Sequence, residues 1–165
     1  MFDIAIYDAE RHQGGVREVL KQHGWEGQYV AGQLAGLAFL SANLVPGTRS
    51  KVYVLESEER LGGFVSIEFR EWNRLGQLHG LAVNPDLKRQ GVASVLVCHA
   101  EEFVQEEGGR GIYVDTPVSN RIARSFYRAL GYRQAYTMPE YYDEGLDGVT
   151  YLKLFPKLEE ASIRE

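Results

Sequence analysis

The sequence predicts an α+β fold, a mixed and mostly antiparallel sheet of about six to seven strands flanked by about four helices. Two features of its order predict this. In the first half, strand-like runs follow one another across short turns and so make hairpins. In the second half, strand and helix alternate, which adds crossovers and packs helices on the sheet. A third observation sets the size. With 165 residues, 44% of them hydrophobic and 25% charged, the chain has the composition of one ordinary globular domain. No repeat or Pro/Ser-rich linker divides it. One domain over 1–156 is expected, with a polar tail over 157–165.

Taken in order, residues 2–7 alternate weakly between apolar and polar, as a first strand does. Val16, Val19 and Leu20 then recur at helical spacing, and Val30, Leu34, Leu37 and Ala38 form a longer stripe. A Pro-Gly turn over 43–48 ends that pair of helices. Strands follow at 51–56, 63–70 and 77–83, the first two joined by the charged turn 57–60, and Asn84-Pro85-Asp86 stops the third. From 91 to 107 the period becomes helical, with Val92, Val95, Leu96, His99 and Phe103 on one face and Gly108-Gly109 at its end. Cys98 is expected as a small core residue of this helix, and His99 as packing. A short strand at 111–115, a helix over 119–130 closed by Gly131, and strands near 132–137 and 148–155 complete the order.

Bulk properties exclude several functions. A net charge of −5 lacks the basic footprint of a nucleic-acid binder. No run is long enough to span a bilayer, and the Met1-Phe-Asp-Ile opening lacks the basic start of a signal peptide, so no membrane role is expected. Cys98 is alone and the four histidines show no ligand spacing, which argues against a metal site and for a reducing, cytoplasmic setting.

Two segments carry chemistry. In the first, a strand ending Leu81-Ala82-Val83 runs into a turn, Lys88-Arg89-Gln90-Gly91-Val92-Ala93-Ser94, that opens the long helix. The first amides of a helix have no internal acceptor and lie at the positive end of its dipole, so such a turn can hold a pyrophosphate. Gly91 lets phosphate approach without meeting a Cβ, Ala93 keeps the second position small, and Lys88 and Arg89 add charge. An ordinary strand–helix turn reads equally well from this segment alone. In the second, Asn120, Ala123, Tyr127 and Leu130 share a helix face, with Asn120 and Tyr127 about 10 Å apart along the axis. One face can offer an amide and a phenol to a long ligand. Asn120 equally suits a helix cap, and Tyr127 a core aromatic.

Together the segments resemble the GNAT family, the GCN5-related N-acetyltransferases. The apolar triplet at 81–83 and the turn with Gly91 and Ala93 match that family's [Q/R]-x-x-G-x-[G/A] site for acetyl-CoA. Its later stretch is matched at Asn120, Ala123, Phe126, Tyr127, Leu130, Gly131 and Tyr132. Lys88 departs from the usual Arg or Gln, and as a point charge it still serves phosphate. The resemblance implies the GNAT fold, acetyl-CoA as co-substrate without a metal, and direct attack of a primary amine of a small molecule or peptide on the thioester. A non-catalytic acyl-CoA sensor on the same fold is the alternative, and a homodimer stays open. By resemblance, the oxyanion goes to a backbone N–H near Val83 and the thiolate proton comes from Tyr127. Two candidates for the base are His79, whose ordinary pKa suits neutral pH, and Asp115, which would need a raised pKa or a bridging water. Glu68 is a third whose facing the sequence leaves open. Tyr141-Tyr142 resembles an acceptor-touching loop and equally suits a hairpin covering its own strands.

Overall fold

A computed structural model describes residues 1–157, so the tail expected at 157–165 lies, beyond Lys157, outside the described residues. The strands are β1 (Asp3–Ile6), β2 (Thr48–Glu56), β3 (Leu61–Arg70), β4 (Leu75–Val83), β5 (Gly111–Pro117), β6 (Arg133–Asp143) and β7 (Leu146–Leu154). The helices are α1 (Ala9–Gln22), α2 (Gln28–Ala42), α3 (Val92–Glu106) and α4 (Arg121–Ala129), with a short 3-10 turn at Pro85–Leu87. The seven strands form one sheet in the order β1-β2-β3-β4-β5-β7-β6, antiparallel throughout except for the parallel pair β4–β5. That pair is where the chain crosses over through α3, and a parallel pair requires such a crossover.

Each face of the sheet has its own core. Val16, Val19 and Leu20 of α1 and Val30, Leu34 and Leu37 of α2 bury against Val52, Val54 and Phe64 on one face. On the other face, Leu96, Ala100 and Phe103 of α3, with Tyr127 of α4, pack on Val65, Ile67, Phe69, Ile112 and Tyr151. No helix among the described residues is long and apolar enough to cross a membrane.

Three details correct the sequence reading. The buried face of α3 is Leu96, Val97, Ala100, Phe103 and Val104, whereas Val95 and Cys98 are exposed. The consecutive apolar residues Val95-Leu96-Val97 make the helical period ambiguous by one position, and contact with β3 and β5 decides it. His99 is only half-buried, with its ring 5.7 Å from that of Tyr53. Ala38 is exposed, and Leu40 takes the last buried place on α2. Finally, β6 runs to Asp143, well past the expected 137, with every residue exposed. Such a strand has no alternation to read.

Candidate active site

The site begins where the parallel pair ends. β4 and β5 are bonded only from Leu75↔Gly111 to Leu78↔Val114. Beyond that point β4 continues to Val83 and β5 to Pro117 without pairing, so the strands part and a cleft opens through the sheet. The β5-facing edge of β4 after Leu78 therefore has no strand partner.

A bulge marks the same place. Ser66 of β3 pairs with Gly80, and the next residue, Ile67, pairs with Leu78, so His79 is the extra residue of β4. Bulges bend a strand and re-aim a side chain. Here the imidazole turns toward the cleft, with its Nε2 3.6 Å from Oε1 of Glu68. Glu68 itself is buried and is held by Arg70, whose Nη2 lies 2.5 Å from the same oxygen. Arg70 also donates to the Tyr113 hydroxyl (2.7 Å) and to Gln77 Oε1 (2.8 Å). Next along the sheet, Asp115 accepts a hydrogen bond from the buried Thr150 hydroxyl of β7. A polar band thus crosses β3, β4, β5 and β7 at the level of the cleft. Desolvation is the largest influence on His79 and lowers its pKa from the ordinary 6.5; Arg70 acts in the same direction, while Glu68 and Asp115 oppose it.

Tyr127 reaches the cleft from the opposite face. Its ring packs edge-on to Phe126 (5.1 Å between centroids) and Tyr132 (5.4 Å), and it is 5% exposed. The hydroxyl makes no hydrogen bond to another described residue, although the side chain lines the cleft. Burial pushes its pKa up, which keeps it a proton donor across the physiological range. Asn120 is the N-cap of α4, its side chain accepting from the Ala123 amide at 3.1 Å, and it also lines the cleft. The cap reading of Asn120 therefore holds, at a position that also lies on the cleft.

Two cavities meet at these residues. One, of about 300 Å³, contains His79, Asp115 and Tyr127; the other, of about 380 Å³, runs past Leu81, Ala82 and Val83 to Lys88 and Ala93. They share Trp25, Leu81, Asn120, Ala123 and Tyr127, so they form one channel. At its outer end, Gly91 sits at φ 77° before the first turn of α3, in open space and with no side chain capping the helix. The first α-helical bond there runs from the Val95 amide to the Gly91 carbonyl at 3.0 Å. The amides of Val92, Ala93 and Ser94 thus precede any i−4 acceptor, and Lys88, Arg89 and Gln90 stand exposed beside them.

The sequence points to the first two helices as the acceptor side, but the sequence reading did not single out Trp25, Tyr29 or Gln33 there. Trp25 and Tyr29 line the inner cavity with Gln33, their two rings edge-to-face at 4.8 Å. His23 donates through Nε2 to the Val83 carbonyl at 2.7 Å, which ties the end of α1 to the end of β4. The aromatic cluster between two helical stretches was the available signal. Tyr142 closes the far wall, and Tyr141 packs edge-on against it at 4.9 Å.

Comparisons with known proteins agree with this fold. The family model for the acetyltransferase (GNAT) family matches residues 17–132. An uncharacterized N-acetyltransferase of Methanocaldococcus jannaschii is 30% identical over 105 residues, which is 63% of this chain and 66% of that protein. The matched stretch is less than two thirds of the length of the curated relatives. Among solved structures, a GNAT-family acetyltransferase from Desulfovibrio desulfuricans superposes with a TM-score of 0.83 at 16% identity, over 93% of this chain and 99% of that one. An aminoglycoside 6′-N-acetyltransferase complexed with coenzyme A gives 0.74 at 16% identity, over 95% and 99%.

Proposed function

The chain belongs to the acetyltransferase (GNAT) family, and on that premise we propose that it transfers the acetyl group of acetyl-CoA to a primary amine by direct attack. The acceptor is a small molecule or a peptide terminus. One observation carries the reading: a single channel joins the uncapped start of α3 to the His79 cavity, and Tyr127 lines it where its two halves meet.

The residues fit acetyl-CoA as a substrate. The open amides at 92–94 with Lys88 suit the pyrophosphate. The largely apolar trough along 81–83 suits the pantetheine arm, and the free edge of β4 offers backbone N–H groups to the thioester oxygen. His79 removes one proton from the acceptor's ammonium, because a protonated nitrogen has no lone pair to attack with. The neutral nitrogen forms a bond to the carbonyl carbon, and the carbon–sulfur bond breaks as the carbonyl re-forms. Tyr127 gives its proton to the departing sulfur, and the proton shed by the new amide restores the balance. A lowered pKa keeps His79 neutral, and hence a base, at pH 7. The lone cysteine supports a reducing, cytoplasmic setting.

The test is acceptor profiling with acetyl-CoA across alkyl amines, aromatic amines, aminoglycosides and N-terminal peptides, read by free thiol and by product mass. Acetyl-CoA binding without thiol release to any acceptor would replace the enzyme with an acyl-CoA sensor.

A further inference from the structure

Resting on the acetyl-transfer reading, we propose that the acceptor is a small organic dication, whose reacting amine lies at His79 while its second cationic group is held by Asp115 and the aromatic rings at the cleft mouth.

Among the described residues, Asp115 is the only carboxylate lining the inner cavity, and no lysine or arginine lines it. Its one hydrogen bond among the described residues comes from the neutral Thr150 hydroxyl, and it forms no ion pair there. Glu68 is different, because Arg70 already neutralises it. The cavity therefore keeps one uncompensated negative charge, half-buried beside apolar surface, an arrangement that favours a cation. The walls suit the same ligand. Trp25 and Tyr29 come from one side and Tyr142 from the other, each in an edge-to-face pair and each partly exposed. Aromatic faces attract ammonium groups, more strongly when water is partly excluded.

The need for a second charge follows from the chemistry. The reacting nitrogen must be neutral when it attacks, so its own charge cannot hold the acceptor at that moment. Were that ammonium seated on Asp115, the ion pair would raise its pKa and oppose the proton transfer to His79. A second ammonium stays charged throughout. Placed on Asp115, it anchors the acceptor while leaving the proton transfer free. The groups facing Asp115 within the cavity are His79, Thr116, Asn120 and the three tyrosines 29, 127 and 142, none of them a permanent cation that would compete for it.

The test compares putrescine, butylamine and aminobutanol as acceptors, which share a chain length and differ in the far group. The unaltered protein should show kcat/KM for putrescine at least about tenfold above the other two, as expected for a charge-assisted contact. In Asp115→Asn that preference should collapse, mainly through a higher KM for putrescine, with the melting temperature used to confirm folding. Tyr29→Ala should weaken the preference in part. Equal kcat/KM for the three acceptors overturns the inference while leaving acetyl transfer standing. So does an Asp115→Asn protein that loses turnover of every amine together with its pH dependence, since Asp115 would then be the base. Absence of thiol release with all three, while acetyl-CoA is bound, overturns the inference, and acetyl transfer falls with it only if the wider acceptor panel is silent too.

Discussion

Gly91 separates binding from stability, and two substitutions there give opposite signatures. At φ 77° an L-residue is strained by about 1–2 kcal/mol, but a Cβ would meet no atom within 4 Å. Gly91→Ala therefore costs only that strain, which in a chain of this size lowers the melting temperature by about 2–4 °C per kcal/mol. It adds one methyl beside the phosphate site and should weaken coenzyme A binding only a few-fold. Gly91→Glu carries the same backbone strain, yet its carboxylate lies at the positive end of α3 and recovers about 0.3–1 kcal/mol. Its stability should equal or slightly exceed that of the alanine variant. Binding moves the other way. A carboxylate roughly 6 Å from a group bearing two negative charges is repelled by about 3 kcal/mol at an effective dielectric near 40, or about a hundredfold in Kd. Thermal melts give the first comparison, and calorimetric titration with coenzyme A gives the second. A folded Gly91→Glu protein with unchanged affinity would mean that the phosphates bind elsewhere.

Two further predictions concern the proton transfers. Tyr127→Phe keeps the ring packed on Phe126 and Tyr132 and removes a hydroxyl that no described residue bonds, so stability and coenzyme A affinity should hold while kcat falls by roughly 10²–10⁴-fold. Full turnover by that variant would make the hydroxyl structural. With an alkyl amine, which stays protonated throughout the range, the rate should climb through a pKa below 6.5 and be flat above it; His79→Gln should remove that limb, and Glu68→Gln should move it to still lower pH. The same shift has a stability sign. As pH falls below 6.5 the unfolded chain takes up the proton first, so His79 costs stability from there down to its folded-state pKa, a loss that His79→Gln should relieve in acid melts.

What could be read from the sequence was local. The turn at 88–94 and the helix carrying Asn120 and Tyr127 announce themselves because a positive-φ glycine, a helix opening and a 3.6-residue period each occupy a few consecutive residues. The succession of strands and helices along the chain was likewise legible from alternation and turns, apart from the length of the fully exposed β6. What was not legible depends on partners far away in sequence. The facing of Glu68 is fixed by its pairing with Gln77 and by Arg70. Trp25 lies in the loop between α1 and α2 and Tyr29 in the first turn of α2, which has no capping side chain, and only the fold brings them to the cleft. Nothing local announces the surroundings of Asp115, because its partner, Thr150, lies thirty-five residues on.

The bulge at His79 ties these parts together. Upstream of it Leu78 faces the α3–α4 core, and in a regular strand Gly80 and Ala82 would share that face. The extra residue shifts the alternation by one. Leu81 and Val83 then pack with the α3–α4 cluster, while Ala82 joins the α1–α2 cluster opposite Phe64. Leu81 and Val83 can thus line the channel on one face while His79, with Glu68 behind it, lines the cavity on the other. Bulged strands also twist more sharply, which fits the end of β4–β5 pairing at Leu78, one residue before the bulge. One inserted residue therefore places the proposed base, orients the proposed pantetheine trough and sits at the mouth of the gap that Tyr127 lines, so the two halves of the channel share a structural origin.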